Sequence, residues 1–224
     1  MRSGRVERFA SIEALTAALA EIVRRETDAD LATYGRATLV LSGGSTPPRY
    51  LQAVAAARPD WRGVTVTLSD ERFVPVDHAD SNEGMARTHF AGTGADIVSL
   101  RGSAESVETA AKEAGDRLAA CHWPAAVSLL GFGPDGHTAS LFNANDTARQ
   151  DGPCIATRRP KDGSARISMT FEQLLQARSI LMIAGPDKAG MLEALAAGEP
   201  AADSPIAQLR DRAGARLRWV GFTT

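Results

Sequence analysis

Short, uninterrupted apolar runs recur along this chain, and they constrain its fold more than any other feature. ATLVL (37–41), AVSLLG (126–131) and SILMIAG (179–185) lack the alternation that a strand with one wet face needs, so each is read as a strand buried on both sides. VTVTLS (64–69) and LRWVGF (217–222) read as further strands, and CIAT (154–157) and RISMT (166–170) as shorter ones. Segments with helical spacing stand between them: roughly 12–28, which Ser11 can cap, then 48–57, 81–91, 104–120 and 187–197. Apolar strands alternating with helices predict an α/β fold, a mostly parallel sheet with helices on both faces. The chain has 224 residues, 44% of them hydrophobic, with no internal repeat and no low-complexity linker, so one α/β domain over 1–224 is expected.

Charge and composition narrow the partners. The formal net charge is −2, which gives no global basic field for nucleic acid. No apolar run approaches the ~20 residues that span a bilayer. The N-terminal MRSGRVERF has no apolar core of a signal peptide. Cys121 and Cys154 fit neither a metal spacing nor a disulfide framework and read as buried thiols of a reducing compartment. His78, His89, His122 and His137 show no HxxxH or HExxH spacing, so no zinc site is expected.

In parallel α/β sheets ligands bind beyond the carboxyl ends of the strands, near a topological switch point, so the loops there carry the search for function. SGGSTPP (42–48) follows ATLVL: Gly43 and Gly44 let several N–H groups converge, while Ser42, Ser45 and Thr46 add hydroxyls ahead of a helix N-terminus. That suits a phosphate, although an ordinary βα turn has the same look. SDERFVP (69–75) crowds Asp70, Glu71 and Arg72 at a strand end. Arg72 could hold an oxyanion and Asp70 a side chain or a sugar hydroxyl, or the two could simply pair in a solvated turn. GFGPDGHTASLF (131–142) places His137 among Gly131, Gly133 and Gly136, with Asp135 able to fix the turn. An imidazole there suits a general base, and equally a satisfied structural residue. AGPDKAG (184–190) echoes it with Lys188, which could reach a phosphate or stand exposed on the first turn of a helix.

Taken in order and spacing, SGGSTP, SDERFVP, Ser81–Asn82, LGFGPDGHTASLF and RISMT resemble the 6-phosphogluconolactonase family, over about residues 37–195. The GPDGHTASLF block is the most specific element. The resemblance implies a doubly wound α/β sheet with a few extra short strands. It implies hydrolysis of 6-phospho-D-glucono-1,5-lactone in the oxidative pentose phosphate pathway, with no metal or organic cofactor. His137 would be the general base and Asp70 would help to hold the site. The loop Ser42–Thr46, Arg72, Asn82, Gly133, Asp135, Gly136, Arg166 and Lys188 would contact substrate. A cytoplasmic monomer or weak homodimer acting on a small sugar-phosphate lactone is expected, with no nucleic-acid or membrane partner. Two segments depart from the pattern: the ending RLRWVGFTT is short, and 143–152 (NANDTARQDG) has no counterpart. The rival readings are an isomerase or amino-sugar-phosphate deaminase of the same fold, and a non-catalytic sugar-phosphate sensor. Deaminases resemble the chain at the histidine loop but read GHIAFNEP, and their glutamate is absent from GHTASLFNAN; a sensor of this kind would usually carry a DNA-binding segment, and no helix-turn-helix pattern precedes residue 37.

Overall fold

A computed structural model of the chain describes residues 6–199 and 204–223. The first half runs β1 (Val6–Phe9), α1 (Ile12–Tyr34), β2 (Ala37–Leu41), α2 (Pro48–Ala56), β3 (Val64–Leu68), β4 (Asp70–Arg72), α3 (Asn82–His89), β5 (Asp96–Ile97) and α4 (Val107–Ala119). The second half runs β6 (Ala125–Leu130), α5 (Ala144–Ala148), β7 (Cys154–Arg158), β8 (Ala165–Met169), α6 (Phe171–Leu174), β9 (Ala177–Ala184), α7 (Ala189–Ala197), α8 (Pro205–Ala213) and β10 (Leu217–Phe222).

Seven strands form one sheet in the order β1-β10-β9-β6-β2-β3-β5, and every neighbouring pair is parallel. All of β2 and all of β6 are buried. Successive side chains on a strand point to opposite faces, so both faces of the sheet are covered, as their unbroken apolar runs predict. From β2 the chain moves outward through β3 to β5, then returns to the other side of β2 with β6. The switch point therefore lies between β2 and β6, and the loops leaving these two strands emerge side by side.

The extra short strands form a second sheet, antiparallel, in the order β4-β8-β7. Ser69 is the hinge between the sheets. Its N–H donates to Leu41 O of the large sheet at 2.7 Å, and its carbonyl accepts from Met169 N of the small one at 2.8 Å. Asp70–Arg72, expected in the loop that follows a strand, is thus itself a strand, and two of its three residues reach a common cavity.

Several boundaries differ from expectation. α1 runs past 28 to Tyr34 and stops at Gly35. The helix expected over 187–197 begins as a 3-10 turn, Pro186–Lys188, because Pro186 starts the turn tightly after β9. The polar stretch 143–152 contains α5, whose N–H groups at Asn145 and Asp146 are capped by Asn143 Oδ1. Ser11 caps α1 as its type predicts, accepting from Ala14 N at 3.3 Å. Ser11→Ala is expected to cost ~1 kcal/mol, read as a lower urea midpoint at unchanged slope.

Candidate active site

The loops from the switch point and the small sheet enclose a half-open cavity of about 270 Å³. Its floor comes from the ends of β6 and β9, through Leu130, Ile183 and Ala184. Ser42 through Thr46 form one wall, and no side chain caps the N-terminus of α2 behind them. Among the described residues the hydroxyls of Ser42, Ser45 and Thr46 make no hydrogen bond to protein, so they and the loop N–H groups are open to a ligand. Gly43 permits a close approach: a Cβ there would lie 1.8 Å from Asn82 Oδ1. Asn82 in turn donates from Nδ2 to Asp70 O at 2.8 Å, which ties this wall to β4.

β4 supplies the next wall. Asp70 and Arg72 line the cavity, while Glu71 between them points away, as strand alternation requires. The Asp70 carboxylate accepts from Ser69 Oγ at 3.1 Å and Ser140 Oγ at 2.7 Å, so it is held from both sides. Glu71 is buried and accepts from the N–H groups of Arg72 (2.7 Å), Asn82 (2.8 Å) and Glu83 (2.6 Å) and from Ser81 Oγ (3.1 Å). Burial pushes its carboxyl above the usual range, and those four donors only partly offset this.

The third wall is the histidine loop. Gly133 N donates to His137 O at 2.9 Å, and Gly136 N to Gly133 O at 3.0 Å, closing a tight turn. Inside it His137 Nδ1 bonds Asp135 Oδ1. Burial raises the Asp135 carboxyl, but the hydrogen bond and charge of His137 outweigh it and hold it below the usual carboxylate range. A carboxylate on Nδ1 fixes the proton there and leaves the lone pair on Nε2. The ring is boxed in further by Phe142, whose ring centroid lies 5.1 Å away. Next in the loop, Ala139 lines the cavity and is the one described non-glycine residue at positive φ, 50°.

Lys188, at the end of the 3-10 turn after β9, donates from Nζ to Phe132 O at 2.7 Å, which sets its ammonium beside the histidine loop. Of the residues expected at the site, Ser42, Gly43, Gly44, Ser45, Thr46, Asp70, Arg72, Asn82, Gly133, His137 and Lys188 line this one cavity. Three do not. Asp135 stands behind the imidazole. Gly136 faces α8, where a Cβ would lie 2.7 Å from Ser204 Cβ. Arg166 pairs in register with Arg72, half-buried, and burial followed by the Arg72 charge lowers its pKa.

Sequence reasoning missed Tyr50 and Arg159, both lining the cavity. Tyr50 is almost wholly buried, and its phenol is pushed up by that burial. Arg159 belongs to the β7–β8 hairpin, and its only ion-pair partner among the described residues is Asp162 at 3.4 Å. The basic run RRPK ahead of the Asp162-Gly163 turn was the available signal. Among the described residues no three His, Cys, Asp or Glu side chains gather as a metal site would need, and no helix is long and apolar enough to cross a membrane.

Residues 10–219 match the sequence profile of the glucosamine-6-phosphate isomerases/6-phosphogluconolactonase family. The chain belongs to this family. Among its relatives, a 6-phosphogluconolactonase of Pseudomonas putida is 39% identical over 212 residues, 90% of this chain and 87% of that protein. Of the solved structures, a 6-phosphogluconolactonase from Shewanella baltica superposes with a TM-score of 0.88 at 26% identity, over 99% of this chain and 98% of that one. A monomeric glucosamine-6-phosphate deaminase superposes with a TM-score of 0.74 at 18% identity, over 97% of each chain, which shows a shared fold. Both activities in the family's description thus occur on this fold, and the site has to separate them.

Proposed function

We propose that this chain is a 6-phosphogluconolactonase, hydrolysing 6-phospho-D-glucono-1,5-lactone to 6-phospho-D-gluconate in the oxidative pentose phosphate pathway of the cytoplasm, as a monomer or weak homodimer. One observation carries the reading: an imidazole anchored through Nδ1 by Asp135 lines a cavity rimmed by a glycine-rich loop and by Arg72, Arg159 and Lys188. The relatives' names support the substrate.

In this reading the loop Ser42–Thr46 and the neighbouring cations hold the phosphate and set the lactone carbonyl in front of His137. His137 Nε2 takes a proton from a water as its oxygen attacks C1, and the carbonyl π electrons move onto oxygen. Nearby N–H or cationic donors stabilise that oxyanion. As the carbonyl re-forms, the bond from C1 to the ring oxygen breaks, and the imidazolium returns its proton to the leaving oxygen. Asp135 keeps the imidazole oriented and steadies its charged form.

The test is hydrolysis of freshly made lactone, coupled to 6-phosphogluconate dehydrogenase, with the spontaneous rate subtracted. Turnover well above the spontaneous rate is expected, and none with glucosamine 6-phosphate. A rate no faster than the spontaneous one, or release of ammonia from the amino sugar, would overturn the reading. Arg159→Gln should raise KM about tenfold, the loss of one charge-assisted hydrogen bond, and leave kcat within about twofold. An unchanged KM would remove Arg159 from the substrate contacts.

A further inference from the structure

A second cavity, of about 570 Å³, lies on the opposite side of β4. The three-residue strand divides the two: Asp70 and Arg72 face the first, Glu71 the second. We infer that this second cavity binds a small organic anion, a phosphate monoester or carboxylate with an apolar body, held by Arg101 and Arg87.

Both Glu71 oxygens are filled, Oε1 by the N–H groups of Arg72 and Asn82, Oε2 by Glu83 N and Ser81 Oγ. That is all a carboxylate accepts comfortably. Glu83 is partly used: Oε1 takes Arg87 Nε at 2.7 Å and Oε2 takes the Ser99 hydroxyl. Asp77, the remaining lining carboxylate, stands exposed at the mouth. Beside these carboxylates the inner wall keeps unused donor capacity.

Arg101 holds most of it. Its Nη1 reaches only the neighbouring Gly102 O, at 3.0 Å. Its Nε is buried without an acceptor, and among the described residues it forms no ion pair. The guanidinium lies over the Phe73 ring, 5.0 Å from its centroid, which fixes its plane. Arg87 uses only Nε on Glu83 and keeps its two Nη groups. Planar guanidinium forks match phosphate and carboxylate oxygens. Val74, Pro75 and Val76 complete the lining, and Val76, 44% exposed, is one of two large apolar side chains so exposed among the described residues. The unpaired guanidinium of Arg101 beside an apolar rim fits an anion that carries a hydrocarbon body.

The test is an amide and arginine Nε–H NMR titration of the whole ¹⁵N-labelled chain with butyl phosphate, with hexanoate, and with sodium chloride at matched ionic strength. Arg101 Nε–H and the amides of Gly102 and Ser103 should shift saturably with butyl phosphate, hexanoate or both, and stay still with chloride. The probe that acts separates a phosphate site from a carboxylate site. Those shifts should persist in Lys188→Gln, which alters only the first cavity, and vanish in Arg101→Gln. No saturable shift with either probe, an equal response to chloride, or shifts that survive Arg101→Gln would overturn the proposal. None of these outcomes depends on lactone turnover, so this site and the lactonase reading fail or stand separately.

Discussion

His137→Ala is expected to lower kcat for lactone hydrolysis by ~10²–10⁴-fold, the usual worth of a positioned general base. KM should change little, because the phosphate contacts proposed for the Ser42–Thr46 loop, Arg72 and Lys188 lie elsewhere in the cavity. Stability should move by less than about 1 kcal/mol, since the His137 side chain is only partly buried and its partner Asp135 is 59% exposed. The falling rate therefore cannot be put down to unfolding, and a thermal melt run on the same sample checks this. Activity at the wild-type level in a folded His137→Ala protein would move the base to another group.

Gly133→Ala should come second in size, through geometry alone. A Cβ at 133 would lie 2.1 Å from His137 Cε1, 2.2 Å from Nδ1 and 2.6 Å from Asp135 Oδ1. All three are tips of side chains, so the loop can keep its backbone while the ring is pushed out of its bond with Asp135. We expect kcat to fall at least about tenfold, with a small change in melting temperature. In a His137→Ala background the same substitution should cost almost nothing more, because the ring it displaces is already gone. That non-additivity is the signature of two changes acting on one group. A Gly133→Ala enzyme with wild-type kcat would show that the imidazole works from another position.

What could be read from sequence followed from where the physics is local. β2, β6 and β9 announce themselves because strands buried on both faces need apolar residues at every position. β1, VERF, is an edge strand with only Val6 buried, and its partner β10 lies at the far end of the chain, so nothing local marks it. β4 reads as a turn because Asp-Glu-Arg is a poor strand sequence; buried donors on Glu71 and pairing with β8 override the propensity. α8 did carry a signal, Ser204 before Pro205, and the serine does accept from Ala207 N at 3.3 Å.

The site divides the same way. The contiguous loops after β2 and β6 were legible, since glycine, hydroxyl and imidazole stand together in the chain. Asp135 was assigned to the turn and to substrate, but the fold of the loop sets its carboxylate on His137. The RRPK run marks Arg159 as basic, but nothing local places it at the site; only the small sheet brings its hairpin to the cavity.

β10 lies between β1 and β9, parallel to both, with Val6 opposite Trp219 and Trp219 opposite Met182. Within the sheet the earliest described strand thus pairs only with the latest. On the ribosome, where chains emerge at about 5–20 residues per second, β1 must wait unpaired until nearly everything else has been made. β9 meanwhile shows an open edge that any extended segment could join. A nascent chain stalled before Leu217 would carry both vulnerabilities at once, the catalytic loops already synthesised on a sheet still missing its closing member. Segments removed from the C-terminal side should consequently be punished in yield and solubility before they are noticed in catalysis, and holdase chaperones should engage this polypeptide late in its synthesis.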